Sequence, residues 1–188
     1  MLRRRAVLAA LLPVAACRSP EPTLYTLLPV QGPTRRGGPR TITVREVSLA
    51  RYLDRVQIVR SAAEYRVEVA GNEWWAESLD AMMTRLLVEN LAQRLPGTNV
   101  IASGGAITTV VPDVVVEVNL QRLGLTAPQT LTLTAQVSVS WRDSRRTPVS
   151  RTASATAPVQ GGATSDFVAA ASTAAGELAD QVAAAVTR

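Results

Sequence analysis

The chain of 188 residues contains no histidine, and all 20 of its basic residues are arginine. Without histidine, neither a Ser-His-Asp triad nor a metal site that uses imidazole can form. The acidic residues do not cluster with the spacing of a paired-carboxylate site, and no nucleotide-binding fingerprint is present. These absences favour a binding or assembly role over an enzyme, with no metal and no cofactor.

The excess of positive charge is small once the N-terminal segment is set aside. The formal charge is +5, but three of the arginines are Arg3, Arg4 and Arg5. Without residues 1–16, the chain has 17 arginines against 15 acidic residues, a net charge of +2. So small a charge does not support a nucleic acid as the partner.

Cysteine is almost absent too, because Cys17 is the only one, and an intrachain disulfide therefore cannot form. Cys17 follows the three arginines and an apolar run over residues 6–16 that is interrupted at Pro13. A charged start, a short apolar run and small residues at its end are typical of a secretory signal peptide. The run is too short to span a bilayer core of about 30 Å.

The residues directly before Cys17, which read VAA, resemble a bacterial lipobox. In that motif the thiol takes diacylglycerol, the chain is cut before the cysteine, and the new amine is acylated. We therefore expect a signal peptide over residues 1–16, a lipidated Cys17 with a tether over residues 17–22, and one periplasm-facing domain over residues 23–188. An ordinary signal peptide with an incidental cysteine is the alternative.

The residue after the cysteine is Arg18, not the aspartate that favours retention in the inner membrane of many Gram-negative bacteria. We therefore expect the lipid anchor to lie in the outer membrane, with the domain facing the periplasm. The twin arginines near the N-terminus leave both export routes, Sec and Tat, open.

Alternating apolar and polar residues predict several β-strands. The alternation is clearest over residues 131–141, and residues 149–159 are expected to pair with them in a hairpin with a Ser/Thr face. Other strands are predicted at residues 23–28, 41–47, 56–60, 65–70, 99–102 and 113–123, and the one at 99–102 is expected to be buried. Residues 29–40 are rich in Pro, Gly and Arg and predict a solvated loop, with contact to anionic lipid headgroups as the alternative.

Two segments with apolar residues three to four positions apart predict helices at about 77–95 and 165–187. In the first, charged residues such as Arg85 and Arg94 lie mostly outside the apolar face. In the second, Ser165 is the expected N-cap. The order of elements predicts an α+β fold, a single domain with a mixed, largely antiparallel central β-sheet flanked by the two long helices.

Two stretches carry a resemblance to a known family. Residues 52–59 read YLDRVQIV, and residues 75–79 read WAESL before the first helix and its LAQRLPG ending. In this order after a lipobox, they resemble the PqiC/YmbA family of ABC-type transport auxiliary lipoproteins. Val56 and Ser78 depart from the family pattern, which has proline at both positions, but serine is also tolerated at the start of a helix.

The resemblance implies a non-enzymatic lipoprotein of an MCE-type intermembrane lipid transport system. Such a protein would be held in the outer membrane through Cys17 and would dock the periplasmic MCE component. Two alternatives remain, a free carrier that binds lipid in its own cavity and a structural envelope lipoprotein without transport. A homo-oligomer is also open.

The expected docking residues are Tyr52, Arg55 and Trp74, because an aromatic side chain beside an arginine is a common pairing in interfaces. For Arg55 the alternative is a surface ion pair with Asp54 or Glu77. Trp74 and its neighbour Trp75 are expected at the start of the first helix, where adjacent side chains point about 100° apart. Of the two, Trp75 is expected to pack against the sheet and Trp74 to be more exposed.

Overall fold

The computed structural model describes residues 20–63, 65–104 and 110–188, so the expected signal peptide and Cys17 lie outside the described residues. Nine strands of one sheet and two helices are present in the described ranges. The strands are β1 (Thr23–Tyr25), β2 (Thr41–Val44), β3 (Ser48–Leu49), β4 (Gln57–Ala63), β5 (Arg66–Trp75), β6 (Asn99–Ala102), β7 (Val114–Ala127), β8 (Thr130–Trp141) and β9 (Val149–Pro158). The helices are α1 (Leu79–Arg94), between β5 and β6, and α2 (Thr164–Val186), after β9.

The long strand β7 organises the sheet. On one side it pairs with antiparallel β8, which pairs in turn with antiparallel β9. On its other side β2, β3 and β4 follow one another, all parallel to β7. Beyond them β5 forms an antiparallel hairpin with β4, β1 joins β5 in parallel, and β6 joins β2 in parallel. The predicted fold is confirmed, and the sheet is mostly antiparallel because its long ladders are the hairpins.

Both helices cover one face of this sheet. In β8, buried side chains alternate with partly exposed ones, as the period-2 pattern predicts. Helix α2 contacts β8 and β9, α1 contacts β2 and β6, and the two helices contact each other. The small alanine side chains that α2 buries allow close packing on the sheet. On β9, the serines and threonines on the opposite face are exposed or partly exposed.

The outer edge of β9 is covered by side chains of α2. Gln181 donates from Nε2 to the Ser154 carbonyl oxygen at 2.8 Å, and the Thr156 N–H donates to Glu177 Oε2 at 3.3 Å. Because β9 pairs with β8 on its other side, these are backbone groups that a further strand would otherwise use.

Two local predictions are wrong, one about the N-cap of α2 and one about the burial of a strand. Ser165 lies inside α2, and the N-cap is Ala163, whose backbone N–H donates to Asp166 Oδ2 at 3.1 Å. Residues 99–102 form the predicted strand, but it is partly exposed instead of buried. The reason is that β6 lies at an edge, where it pairs with β2 alone among the described strands.

The side chain of Arg94 is buried between the helices, although the helical pattern predicts it outside the apolar face of α1. It is 1% exposed, and its guanidinium contacts the Asp180 carboxylate. It also donates to the carbonyl oxygens of Val30 at 2.9 Å and Gly176 at 3.1 Å. A buried charge is costly unless it is paired and hydrogen-bonded, and Arg94 meets both conditions.

Residues 27–35, the groove segment, lie along the groove between α1 and α2. The predicted loop over residues 29–40 has no helix or strand and most of its side chains are exposed, but its first part is hydrogen-bonded to both helices. Backbone N–H groups of the segment donate to side chains of both helices: Leu27 to Met82 Sδ (3.1 Å), Leu28 to Ser172 Oγ (3.1 Å) and Val30 to Asn90 Oδ1 (2.9 Å). The Arg35 N–H donates to the carbonyl oxygen of Arg94, at the end of α1, at 2.7 Å. The segment therefore follows the helices toward their C-terminal ends.

Candidate docking surface

Tyr52 and Arg55 lie in the loop that joins β3 to β4. The loop is fixed to the sheet where the Ala50 N–H donates to the Leu120 carbonyl oxygen at 2.9 Å, and where Leu53 is buried in the core. Within the loop, the N–H groups of Leu53 and Arg55 donate to the carbonyl oxygens of Ala50 (2.8 Å) and Leu53 (2.9 Å). These bonds give the exposed side chains of the loop a fixed backbone to project from.

The ring of Tyr52 is partly buried, and its hydroxyl donates to the Gln121 carbonyl oxygen of β7 at 3.2 Å. Burial raises the pKa of the Tyr52 hydroxyl above its ordinary value, and the nearby positive charge of Arg122 opposes that shift. The hydroxyl therefore stays protonated at neutral pH and continues to donate to β7. Tyr52 offers a partner only the exposed part of its ring.

Arg55 is exposed and forms no ion pair with any carboxylate in the described part of the chain. The surface ion pair with Asp54 or Glu77 is therefore absent from the structure. Glu77 pairs instead with Arg85, whose NH2 atom lies 2.6 Å from Glu77 Oε1. The guanidinium of Arg55 is left available to a partner.

Trp74 and Trp75 end strand β5 and do not begin α1, so the predicted placement is wrong. Adjacent residues of a strand point to opposite faces, which separates the two rings more completely than a helix would. Trp75 is 5% exposed, which confirms its predicted packing in the core. Trp74 is partly buried, and its indole Nε1 has no hydrogen-bond partner among the described residues.

Cross-strand register places Leu24 of β1 and Gln57 of β4 on either side of Trp74. Leu24 is 58% exposed, although it is a large apolar residue. The Trp75 N–H donates to the Val56 carbonyl oxygen at 2.8 Å, which holds the end of the β3–β4 loop against the end of β5. Val56 is also exposed.

We call this region the Trp74 surface, and it comprises Leu24, Tyr52, Arg55, Val56 and Trp74. The structure connects Arg55 to Trp74 through Val56 and the first residue of β4, whereas it turns the hydroxyl of Tyr52 toward β7. The sequence pattern does not reveal Leu24, because its place beside Trp74 depends on a pairing between distant strands.

Two surface cavities of similar size have charged side chains in their walls. One has a volume of about 490 Å³ and includes Glu46, Arg85 and Glu89, and the other has a volume of about 500 Å³ and includes Arg142, Asp143 and Arg146. The wall of the first also contains apolar side chains, among them Ala81 and Val88.

In the described ranges, no group of three or more acidic, cysteine or histidine side chains is placed to hold a metal ion. Glu46, Asp54 and Asp80 line one small cavity of about 250 Å³, but they do not form such a group. Neither α1 nor α2 has the combination of length and apolar character that a membrane-crossing helix requires.

The sequence matches a family model described as "ABC-type transport auxiliary lipoprotein component" over residues 25–183. It is 33% identical over 101 residues to the intermembrane transport lipoprotein PqiC of Escherichia coli (strain K12), and the protein of the same name from Shigella flexneri gives the same figures. Each match covers 51% of this chain and 54% of the relative. The chain thus spans about half the length of the curated relatives it matches.

Two solved structures share the fold. An uncharacterised protein superposes with a TM-score of 0.72 at 16% identity, covering 89% of this chain and 99% of its own. Protein XCC0632 from Xanthomonas campestris superposes with a TM-score of 0.68 at 16% identity, covering 86% of this chain and 92% of its own. At such low identity the superpositions support the fold alone.

Proposed function

Because the chain belongs to the family of ABC-type transport auxiliary lipoprotein components, we propose that it is a non-enzymatic lipoprotein that docks the periplasmic MCE component of an intermembrane lipid transport system. In this proposal Cys17 carries the lipid anchor and holds the domain at the outer membrane. The observation that supports it most is the family match over residues 25–183, which includes four of the five residues of the Trp74 surface.

The anchor is tested by replacing Cys17. The wild-type protein should carry diacylglyceryl and amide-linked acyl groups on Cys17, detected by mass spectrometry of its N-terminal peptide, and should fractionate with outer membranes. A Cys17→Ala chain should lose both properties. A wild-type Cys17 without acyl groups would refute the anchor.

The Trp74 surface supports docking through two of its properties. Its apolar side chains Leu24 and Val56 are more than half exposed, and Arg55 has no ion-pair partner in the described residues. Tryptophan and arginine are among the residues most enriched at binding hot spots, and the partly exposed ring of Trp74 lies beside Leu24.

The docking test is a crosslinked pulldown from native envelopes with a Tyr52→Ala, Arg55→Ala double variant. We expect it to remain folded by circular dichroism and to lose co-purification with the MCE protein. The matched control is Arg145→Ala, Thr147→Ala, which removes an exposed arginine and a neighbouring side chain from the β8–β9 turn. Co-purification that survives in the double variant would reject this surface.

The same pulldown tests the function itself. If wild-type protein recovers no MCE component under crosslinking and the purified domain carries stoichiometric lipid, the protein is a carrier and not a docking subunit. If it recovers neither, a structural envelope role is the better description.

A further inference from the structure

The β4–β5 hairpin ends in exposed apolar side chains. Of the eight large apolar residues that the described chain exposes, three lie in this hairpin: Tyr65 is fully exposed, Val67 46% and Val69 38%. The two valines are two positions apart in β5, so they share one face of the strand. Together with Arg66 we call these residues the hairpin tip. Their concentration at one end of the molecule indicates a contact surface.

The chain that leads from Cys17 reaches the domain from the direction of this tip. Strand β1 is parallel to β5, with Thr23 beside Glu73 and Leu24 beside Trp74. Asn72, one residue earlier in β5, donates from Nδ2 to the Glu21 carbonyl oxygen at 2.7 Å. Because the strands are parallel, moving back along the chain from β1 means moving along β5 toward Arg66.

The reach of the tether can be compared with the height of the hairpin. Leu24 and Gln57 both pair with Trp74 and therefore lie level with each other. From Gln57, β4 continues for six residues to Ala63, a rise of about 20 Å. Cys17 precedes Leu24 by seven residues, and an extended proline-containing chain at about 3.1 Å per residue reaches about 22 Å. The cysteine therefore reaches about as far as the tip.

When the strands stand upright on the membrane, a bilayer that holds Cys17 therefore also reaches the hairpin. The polar layer on each side of a bilayer is roughly 5–8 Å thick, which exceeds the difference between the two reaches. Any conformation of the tether shorter than full extension brings the membrane closer to the tip.

We propose that the hairpin tip lies in the headgroup layer of the membrane that holds Cys17, an inference that rests on the anchor proposed above. Tyr65 supplies an aromatic ring of the kind enriched at membrane–water interfaces. Val67 and Val69 supply the apolar contact, and Arg66 faces the lipid phosphates. With a lipid anchor and a second contact, the domain has a fixed orientation, and its β8–β9 turn points away from the membrane.

The test uses the full lipidated chain with Tyr65→Cys. Because Cys17 is acylated in this protein, the new cysteine is the only free thiol and takes an environment-sensitive fluorophore. The labelled protein is reconstituted in vesicles of phosphatidylethanolamine and phosphatidylglycerol that contain a spin-labelled phosphatidylcholine quencher. The matched control is Ser144→Cys, an exposed position in the β8–β9 turn. We expect several-fold stronger quenching at position 65 than at position 144.

A second pair of variants tests the apolar contact. Val67→Thr, Val69→Thr in the Tyr65→Cys background keeps the branched shape of both side chains but adds hydroxyls, and should weaken the quenching. Val149→Thr, at an exposed valine of β9, should leave it unchanged.

The outcomes separate this inference from the anchor on which it rests. An unmodified Cys17 in the mass spectrum refutes the anchor. An acylated protein with equal quenching at positions 65 and 144 overturns the hairpin contact alone. A photocrosslink from position 65 that captures protein and no lipid would overturn it as well.

Discussion

The guanidinium of Arg94, in α1, contacts the carboxylate of Asp180, in α2, and so joins the two helices by a charged pair on the inner side of their contact. The same guanidinium donates to the Val30 carbonyl oxygen of the groove segment at 2.9 Å. One side chain therefore connects three parts of the chain that are far apart in sequence. Removal of this side chain is therefore expected to weaken the packing of α1, α2 and the groove segment.

Arg94→Met is expected to lower the free energy of unfolding by about 1–3 kcal/mol, the cost of leaving buried hydrogen-bonding groups without a partner, since the Asp180 carboxylate that remains is 30% exposed and can be solvated. The substitution also leaves the carbonyl oxygens of Val30 and Gly176 without this donor. The control is Arg85→Met, in the same helix, where the exposed ion pairs with Glu77 and Glu89 contribute at most about 1 kcal/mol. Urea unfolding followed by circular dichroism measures both, and equal losses would contradict the role given to Arg94.

Gly32→Ala is expected to destabilise the protein because the added Cβ would lie 2.3 Å from Arg94 NH2. The guanidinium is held by several hydrogen bonds and cannot move without losing some of them, so we expect a cost of about 1–3 kcal/mol. Gly162→Ala is the control, since a Cβ there meets no atom within 4 Å. A thermal melt compares the two variants, and an unchanged melting temperature for Gly32→Ala would show that the groove segment yields easily.

Trp75→Ala and Trp74→Ala should differ strongly in stability. Truncating the buried Trp75 should cost about 3–5 kcal/mol, a large part of the roughly 5–15 kcal/mol by which an ordinary domain is stable. Trp74→Ala should cost clearly less, because its ring is partly exposed and its indole N–H makes no hydrogen bond to a described residue. Chemical denaturation of both variants measures the difference, and comparable losses would refute the division between a core and a surface tryptophan.

The Asp80 carboxyl should make the start of α1 sensitive to acid. Its pKa is lowered, chiefly by a hydrogen bond with the Ser78 side chain, with burial acting in the opposite direction. A pKa lower in the folded than in the unfolded state stabilises the protein above the unfolded pKa of about 3.9, and this contribution is lost as the pH falls through the folded pKa. Ser78→Ala should therefore raise the pKa of Asp80 and destabilise the protein at pH 7 but not at about pH 2.

The matched control for this prediction is Ser165→Ala. Ser165 is exposed inside α2 and does not cap it, so alanine there should be neutral or slightly stabilising at every pH. Urea midpoints measured at several pH values would reveal the difference. If Ser78→Ala lowers the urea midpoint equally at pH 7 and in acid, the Asp80 carboxylate does not cause the loss of stability.

The elements that follow from local patterns are the ones that the sequence predicts well. The period-2 run that becomes β8 and the three-to-four spacing that becomes α1 each lie within a single segment. Local periodicity is therefore enough to identify the strand and the helix. Strand β3 has only two residues and is too short to show any period. Gly71 and Asn72 interrupt the alternation before Trp74 and Trp75, so the local pattern does not extend the strand to them. Pairing with β1 and β4 extends β5 to Trp75.

The features that the sequence conceals depend on contacts between distant residues. Arg94 follows Leu87 by seven residues, a spacing that places it on the buried side of α1, but its charge is typical of an exposed position and its partners are 64 and 86 residues away. The groove segment has the composition of a loop, and only its bonds to both helices show that it is packed. The Trp74 surface is similar: the pairing of aromatic residues with an arginine predicts Tyr52, Arg55 and Trp74, whereas Leu24 appears only through strand register.

The coverage of the β9 edge limits how copies of this chain can associate. An exposed edge strand invites a strand of another molecule to continue the sheet, and repeated addition of this kind leads to open-ended aggregation. Here the side chains of Gln181 and Glu177 already form hydrogen bonds with the Ser154 carbonyl oxygen and the Thr156 N–H, which an added strand would need. Strand addition at this edge would first have to break those bonds. Copies of the chain are thereby hindered from joining sheet to sheet along this part of β9.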